Sequence, residues 1–166
     1  MPIRSEAAID SRMTERAFVA LERRYTWPIF MSAREVKLGD GCRIDFVAVE
    51  LDSGNVFAFE VKASRSDWRN ERLNPRKNLL AHASVDYWWI VAARSGIVEM
   101  DEIDKRDGLY VLAEDCLRVL AYPTRRLPEY ARYRDLVAAV LRRIGIVQEK
   151  RLQLAGQVAR EGGTRT

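Results

Sequence analysis

Three side chains of the 166-residue chain could act together on one substrate: Asp45, Glu60 and Lys62. They fall in GCRIDFVAVELDSGNVFAFEVKAS, residues 41–64, among mostly apolar neighbours. The runs on either side of DSGN are rich in valine, phenylalanine and isoleucine, which suits strands. DSGN itself is turn chemistry, so the segment reads as a hairpin. Side chains on a strand alternate faces, so Glu60 and Lys62 point the same way and Val61 the other. In an antiparallel pair the start of one strand lies beside the end of the other, so Asp45 can face Glu60 and Lys62. Two carboxylates and an ammonium then meet at one end of a sheet.

Close carboxylates raise one another's pKa unless a cation lies between them. Lys62 is one such cation, and a divalent ion is a stronger one. Mg²⁺ takes hard oxygen donors, usually one or two carboxylates with waters and phosphate oxygens. Held by Asp45 and Glu60, it would polarise a phosphoryl group and lower the pKa of a bound water. Lys62 would hold the attacking water or neutralise charge growing on the phosphate. That is phosphodiester hydrolysis. The same residues also fit a salt-bridged strand end, where facing charges are worth about 0.2–1 kcal/mol.

The elements that must position these residues can be read from periodicity. Ala17, Phe18, Leu21 and Tyr25 recur at helical spacing over about residues 5–25. Trp27-Pro28 ends that helix, because a residue before proline avoids the helical region. IFMSAREV reads as a first strand, followed by the hairpin. After Lys62 the chain is helical with a break at Asn74-Pro75, Pro75 opening a second helix. Ser64 reads as a helix cap. VDYWWIVAA is a further strand, and GLYVLAEDCLRVLAY a second hairpin turning at Glu114-Asp115. An amphipathic helix follows, with Tyr133, Val137, Val140, Leu141 and Ile144 as its stripe and Gly145 placed to end it. Arg142 and Arg143 then complement its C-terminus. A weaker helix is expected over 148–160. The fold class is α/β, a mixed β-sheet flanked by helices. The expected divisions are a core over 1–127, a C-terminal helical extension over 128–160 and a disordered tail over 161–166.

Composition bounds the rest. The chain is 48% hydrophobic and 31% charged, which suits a globular domain. No apolar run approaches the roughly 20 residues that cross a bilayer, and the N-terminus lacks a signal-peptide core. A cytoplasmic protein with no membrane partner is expected. Cys42 and Cys116 sit in apolar strand contexts and read as free buried thiols. A single histidine, His82, and no close cysteine pair argue against zinc. The net charge is +4, carried by 23 arginines and five lysines, which permits a polyanionic partner. Arg65, Arg69, Arg72 and Arg76 are spaced 4, 3 and 4, one stripe on a continuous helix beginning just after Lys62. Such a stripe would grip DNA phosphates, or be a solvated face balanced by Asp67 and Glu71. Glu50, beside the hairpin turn, falls away from Asp45's end. Trp88 and Trp89 alternate faces of their strand, with core packing expected for at least one.

The segment RIDFVAVELDSGNVFAFEVKAS resembles the PD-(D/E)XK nuclease superfamily, of restriction-endonuclease-like fold. Its signature is an aspartate on one core strand and (Asp/Glu)-x-Lys closing the next, here Asp45 and Glu60-Val61-Lys62. Ile44 stands where a proline usually precedes the aspartate. The following EVKASRSDWRNERLNPRKNLLAHASVDYWWIVAA is similar to MmcB-like DNA-repair proteins and related phage proteins. The likeness covers about residues 12–127. It implies cleavage or repair of DNA with Mg²⁺ or Mn²⁺. It also implies an acidic residue on the preceding helix, for which Glu15 is preferred and Glu22 is the alternative. A basic or amide residue on the later helix often reaches the site in this superfamily, and Lys77 is the candidate.

Two functions are therefore carried forward. One is a metal-dependent DNA endonuclease, in which Asp45→Ala or Lys62→Ala would abolish cleavage and spare the fold. The other is a non-catalytic nucleic-acid-binding or assembly module. DNA is the expected partner, and a homodimer through the C-terminal helix is left open.

Overall fold

The computed structural model describes residues 6–38, 41–73 and 75–162, with side chains placed for 8–38, 41–73 and 79–148. It contains a six-stranded mixed sheet between helices. The elements are α1 (Glu6–Arg24), β1 (Phe30–Lys37), β2 (Arg43–Glu50), β3 (Val56–Lys62), α2 (Arg65–Arg72) and α3 (Pro75–His82). There follow β4 (Tyr87–Ala92), a 3₁₀ turn at Met100–Glu102, β5 (Gly108–Ala113), β6 (Cys116–Ala121) and α4 (Tyr130–Gly162). Strand order in space equals order in sequence. β1, β2 and β3 are antiparallel neighbours, β3, β4 and β5 are parallel, and β6 returns antiparallel to β5.

Parallel strands need cover on both faces, and their apolar runs supply it. On one face Phe46, Phe59, Val61, Trp89 and Tyr110 pack under Ala17 and Leu21 of α1. On the other, Val47, Ala58, Trp88 and Ile90 pack against Trp68 of α2, Ala81 of α3 and Leu136 and Val140 of α4. Trp88 and Trp89 are therefore core residues on opposite faces, 2% and 4% exposed, and neither is available to stack on a base. The first hairpin turns through Gly54 at φ 73, a left-handed conformation that favours glycine. Glu50 braces that turn, accepting from Ser53 Oγ and from Asn55 Nδ2.

Two expectations about the chain's later part are corrected. The final helix does not stop at Gly145. It runs unbroken from Tyr130 to Gly162, so Arg142 and Arg143 sit inside it rather than at its end. Mid-helix glycine costs only about 1 kcal/mol, and burial of Leu136, Ala139 and Val140 on the sheet pins the helix upstream of it. Through Leu136, Ala139 and Val140 this helix shares the core's packing. Residues 161 and 162 are helical, and the rest of the expected tail lies outside the described residues. Cys42 is buried as expected, but Cys116 is exposed, because β6 is the edge strand and alternates between half-buried and exposed positions.

Gly108 opens β5 directly opposite Trp89. A Cβ there would meet Trp89 Cδ2 and Cζ3 at 2.6 and 2.7 Å. The indole cannot retreat easily, since it stacks on Tyr110 with ring centres 4.1 Å apart. Gly108→Ala is expected to destabilise the protein by about 1–3 kcal/mol, as overpacked cores do. Urea denaturation measures it, and a loss under about 0.5 kcal/mol would show that the ring gives way.

Candidate active site

The antiparallel register of β2 and β3 brings the sequence-predicted acids to one end of the sheet. Matched pairs run from Val49 opposite Val56 to Phe46 opposite Phe59, and stop there. Asp45 is the next residue on β2 and Glu60 the next on β3. Beyond Phe46 the ladder gives way to a side chain: the backbone N–H of Val61 donates to Asp45 Oδ2 at 3.0 Å. The aspartate is thereby fixed against the middle residue of Glu60-Val61-Lys62.

Glu60 and Lys62 face α2, away from α1. Both are 3% exposed. Lys62 Nζ donates to Glu60 Oε1 at 3.0 Å and to Glu71 Oε2 at 3.2 Å, with Asp67 Oδ1 at 3.8 Å. Burial alone would push the Lys62 pKa down, but Glu60, Glu71 and Asp67 more than offset it and hold it above its ordinary value. Lys62 is therefore a fixed cation at neutral pH and not a proton acceptor.

Asp67 and Glu71 are the residues that sequence reasoning passed over, having taken them for charges balancing an arginine stripe. The available signal was their spacing of four, which puts both on one face of α2. Ser64 starts that helix as foreseen, accepting from the Asp67 amide at 3.3 Å. The cap turns the chain back so that this face overlies the end of β3.

Glu15 does not join the cluster. Arg34 of β1 binds it at 2.8 and 2.9 Å and binds Glu22 through two 2.7 Å contacts. The guanidinium also lies 4.9 Å over the Phe18 ring of α1. Both helix glutamates thus serve the contact of α1 with β1, on the sheet face opposite Glu60 and Lys62. The arginine stripe is likewise divided. Arg65 grips Glu102 with both terminal nitrogens and donates to Ile97 O at 2.9 Å. Arg72 donates to the same carboxylate at 3.1 Å, and Trp68 Nε1 donates to it at 3.0 Å. The Arg65 bonds, then the Glu99 amide and Trp68, hold Glu102 down to a pKa of about 2. Arg69 is exposed. Arg76 and Lys77 lie in the first turn of α3, and their side chains fall outside the described residues.

His82 is structural. Its ring packs edge-on against Trp88, with centres 4.7 Å apart. Burial, then the charge of Arg126, lowers its pKa to about 4, so it is neutral at pH 7.

Among the described residues, no group of three or more His, Cys, Asp or Glu side chains could hold a metal ion. The site instead offers two hard-oxygen donors on neighbouring strands, Asp45 and Glu60. That donor set matches the one or two carboxylates Mg²⁺ usually takes from protein.

No protein-family model matches the sequence, and no curated protein matches it. One solved structure does: a protein of unknown function from Silicibacter pomeroyi, 16% identical, with a TM-score of 0.60. The match covers 100% of this chain and 98% of that one. This likeness shows the fold alone. It extends through α4, so the C-terminal helix belongs to the shared architecture. Among the described residues no helix is long and apolar enough to cross a membrane.

Proposed function

We propose that the chain is a metal-dependent DNA endonuclease of the PD-(D/E)XK type, cytoplasmic and acting in DNA repair, recombination or phage DNA processing. The observation that supports it is the register of β2 and β3, which sets Asp45 and Glu60 one step beyond their last matched pair, Phe46 and Phe59, with Lys62 two residues further along β3. Asp45 and Glu60 would hold Mg²⁺ or Mn²⁺. When bound, the ion would polarise the scissile phosphate and ease deprotonation of the attacking water. Asp45 is kept in place by the Val61 amide. Lys62 fixes the Glu60 carboxylate and supplies a permanent positive charge beside it, where negative charge grows during hydrolysis. Its raised pKa is compatible with that electrostatic role, in which water activation would fall to the metal.

The test is a cleavage panel of duplex, single-stranded, flapped and branched DNA with Mg²⁺ or Mn²⁺. At least one form should be cut, and EDTA should stop it. The reading fails if none is cut and titration calorimetry shows neither ion binding. One contact favours the non-catalytic module instead: Lys62 neutralises Glu60 at 3.0 Å without any added ion. That module would bind DNA with salt-sensitive affinity indifferent to Asp45→Ala.

A further inference from the structure

Arg65 and Arg72, two of the cations expected to hold DNA, are occupied within the protein by Glu102. Arg65 also stands near Glu99 and Asp101, so that surface carries acids as well as bases. A different basic surface lies between edge strand β1 and helix α4. A cleft of about 410 Å³ there is lined by Lys37, Arg43, Arg142 and Arg143. Among the described residues Glu35 is the lining carboxylate, 3.5 Å from Arg43 and 3.6 Å from Arg143. The described lining residues thus carry four cations and one anion, a formal charge of +3.

These cations differ in what they do. Lys37, Arg43 and Arg142 are exposed to solvent. Arg143 is a brace, its Nε donating to the Arg34 carbonyl at 3.2 Å. That bond ties α4 to β1 just where Glu35, at φ 51, leaves the β1–β2 ladder. The interruption sets Glu35 and the arginines around the cleft. Arg43 connects the cleft to the candidate active site, lying 3.8 Å from Asp45 Oδ1.

We infer that this cleft is the path of the DNA backbone, with phosphates held by Lys37, Arg43 and Arg142 and led by Arg43 to Asp45. The inference rests on the nuclease reading for the identity of the substrate. A row of exposed cations of this kind neutralises phosphates without reading sequence, and each contact releases counterions. Arg43 is then a positioning residue: it places a phosphodiester against the carboxylate two residues along its own strand.

The experiment measures binding of a fluorescent DNA duplex by anisotropy across a salt series in EDTA, so that cleavage plays no part. The Lys37→Ala/Arg142→Ala double variant should bind about tenfold or more weakly at moderate salt. Its slope of log affinity against log salt should fall by about 2, one for each cation removed. Arg118→Ala, exposed on β6 at the far edge of the sheet, should bind as wild type does. The inference is overturned if the double variant keeps wild-type affinity and slope, or if Arg69→Ala weakens binding more than the pair does. It is also overturned if a polyglutamate peptide displaces the duplex at matched charge concentration. The two readings fail separately. Wild type that binds through the cleft, yet cuts no DNA and binds neither Mg²⁺ nor Mn²⁺, leaves the cleft standing and removes the nuclease. Wild type that cuts, with a double variant that binds normally, does the reverse.

Discussion

Asp45→Asn is expected to lower Mg²⁺- or Mn²⁺-dependent DNA cleavage by at least about 100-fold, the scale on which a single electrostatic partner of a transition state counts. The fold should survive the change. Asparagine keeps a side-chain oxygen where Asp45 Oδ2 accepts the Val61 amide, and exchanging a charged acceptor for a neutral one in that bond costs only about 1 kcal/mol. The pair of readouts is what makes the variant informative. Cleavage should collapse while the thermal midpoint and far-ultraviolet dichroism stay close to wild type. Retained cleavage in a well-folded Asp45→Asn protein would remove Asp45 from any metal site and leave the cluster as a strand-end salt bridge.

Lys62→Met should be a stability variant first. Methionine roughly matches the lysine stem but deletes the ammonium between Glu60 and Glu71, whose side chains are 4% and 10% exposed. Removing one partner of a buried ionic group costs about 3–5 kcal/mol, because the remaining charge has lost its compensation. The sign with pH follows from the raised lysine pKa. The stabilisation is fully present below the ordinary lysine value of 10.5 and is lost as pH rises through the higher folded value, so it acts in full at neutral pH. Urea titrations at pH 7 measure this, and equal stability of variant and wild type would contradict it. The expectation that Lys62→Ala spares the fold is thereby withdrawn: lost activity in that variant would report unfolding as readily as chemistry.

What could be read from the sequence was local in origin. The hairpin, its turn at Gly54 and the placing of Asp45 and Glu60 just past its last matched pair follow from alternation and turn chemistry, which reach only a few residues. The Ser64 cap and the division between α2 and α3 were legible for the same reason. Contacts across long sequence separations were not. Arg65 and Glu102 are 37 residues apart, and no spacing rule pairs them. Glu15 looked free on its helix because Arg34 comes 19 residues later, on a strand. Gly145 misled because a C-terminal glycine signal is a backbone preference, and tertiary packing of Leu136 and Val140 overrides it. The cleft was illegible because its cations come from β1, β2 and α4, which only the folded sheet brings together.

Because the strands lie in the sheet in the order of synthesis, a growing chain could complete its parts at different times. The carboxylates that hold Lys62 Nζ, Glu60, Asp67 and Glu71, all come from residues 60–71, a short run ended before half the chain exists. The cleft is different: its wall at Arg142 and Arg143 waits for α4 to fold back across the sheet to β1, more than 100 residues away in sequence. A ribosome-bound nascent chain halted before α4 would thus have the means to assemble its charged cluster while lacking the surface assigned to the substrate. On the readings above, competence to hold DNA would be the last property the protein acquires.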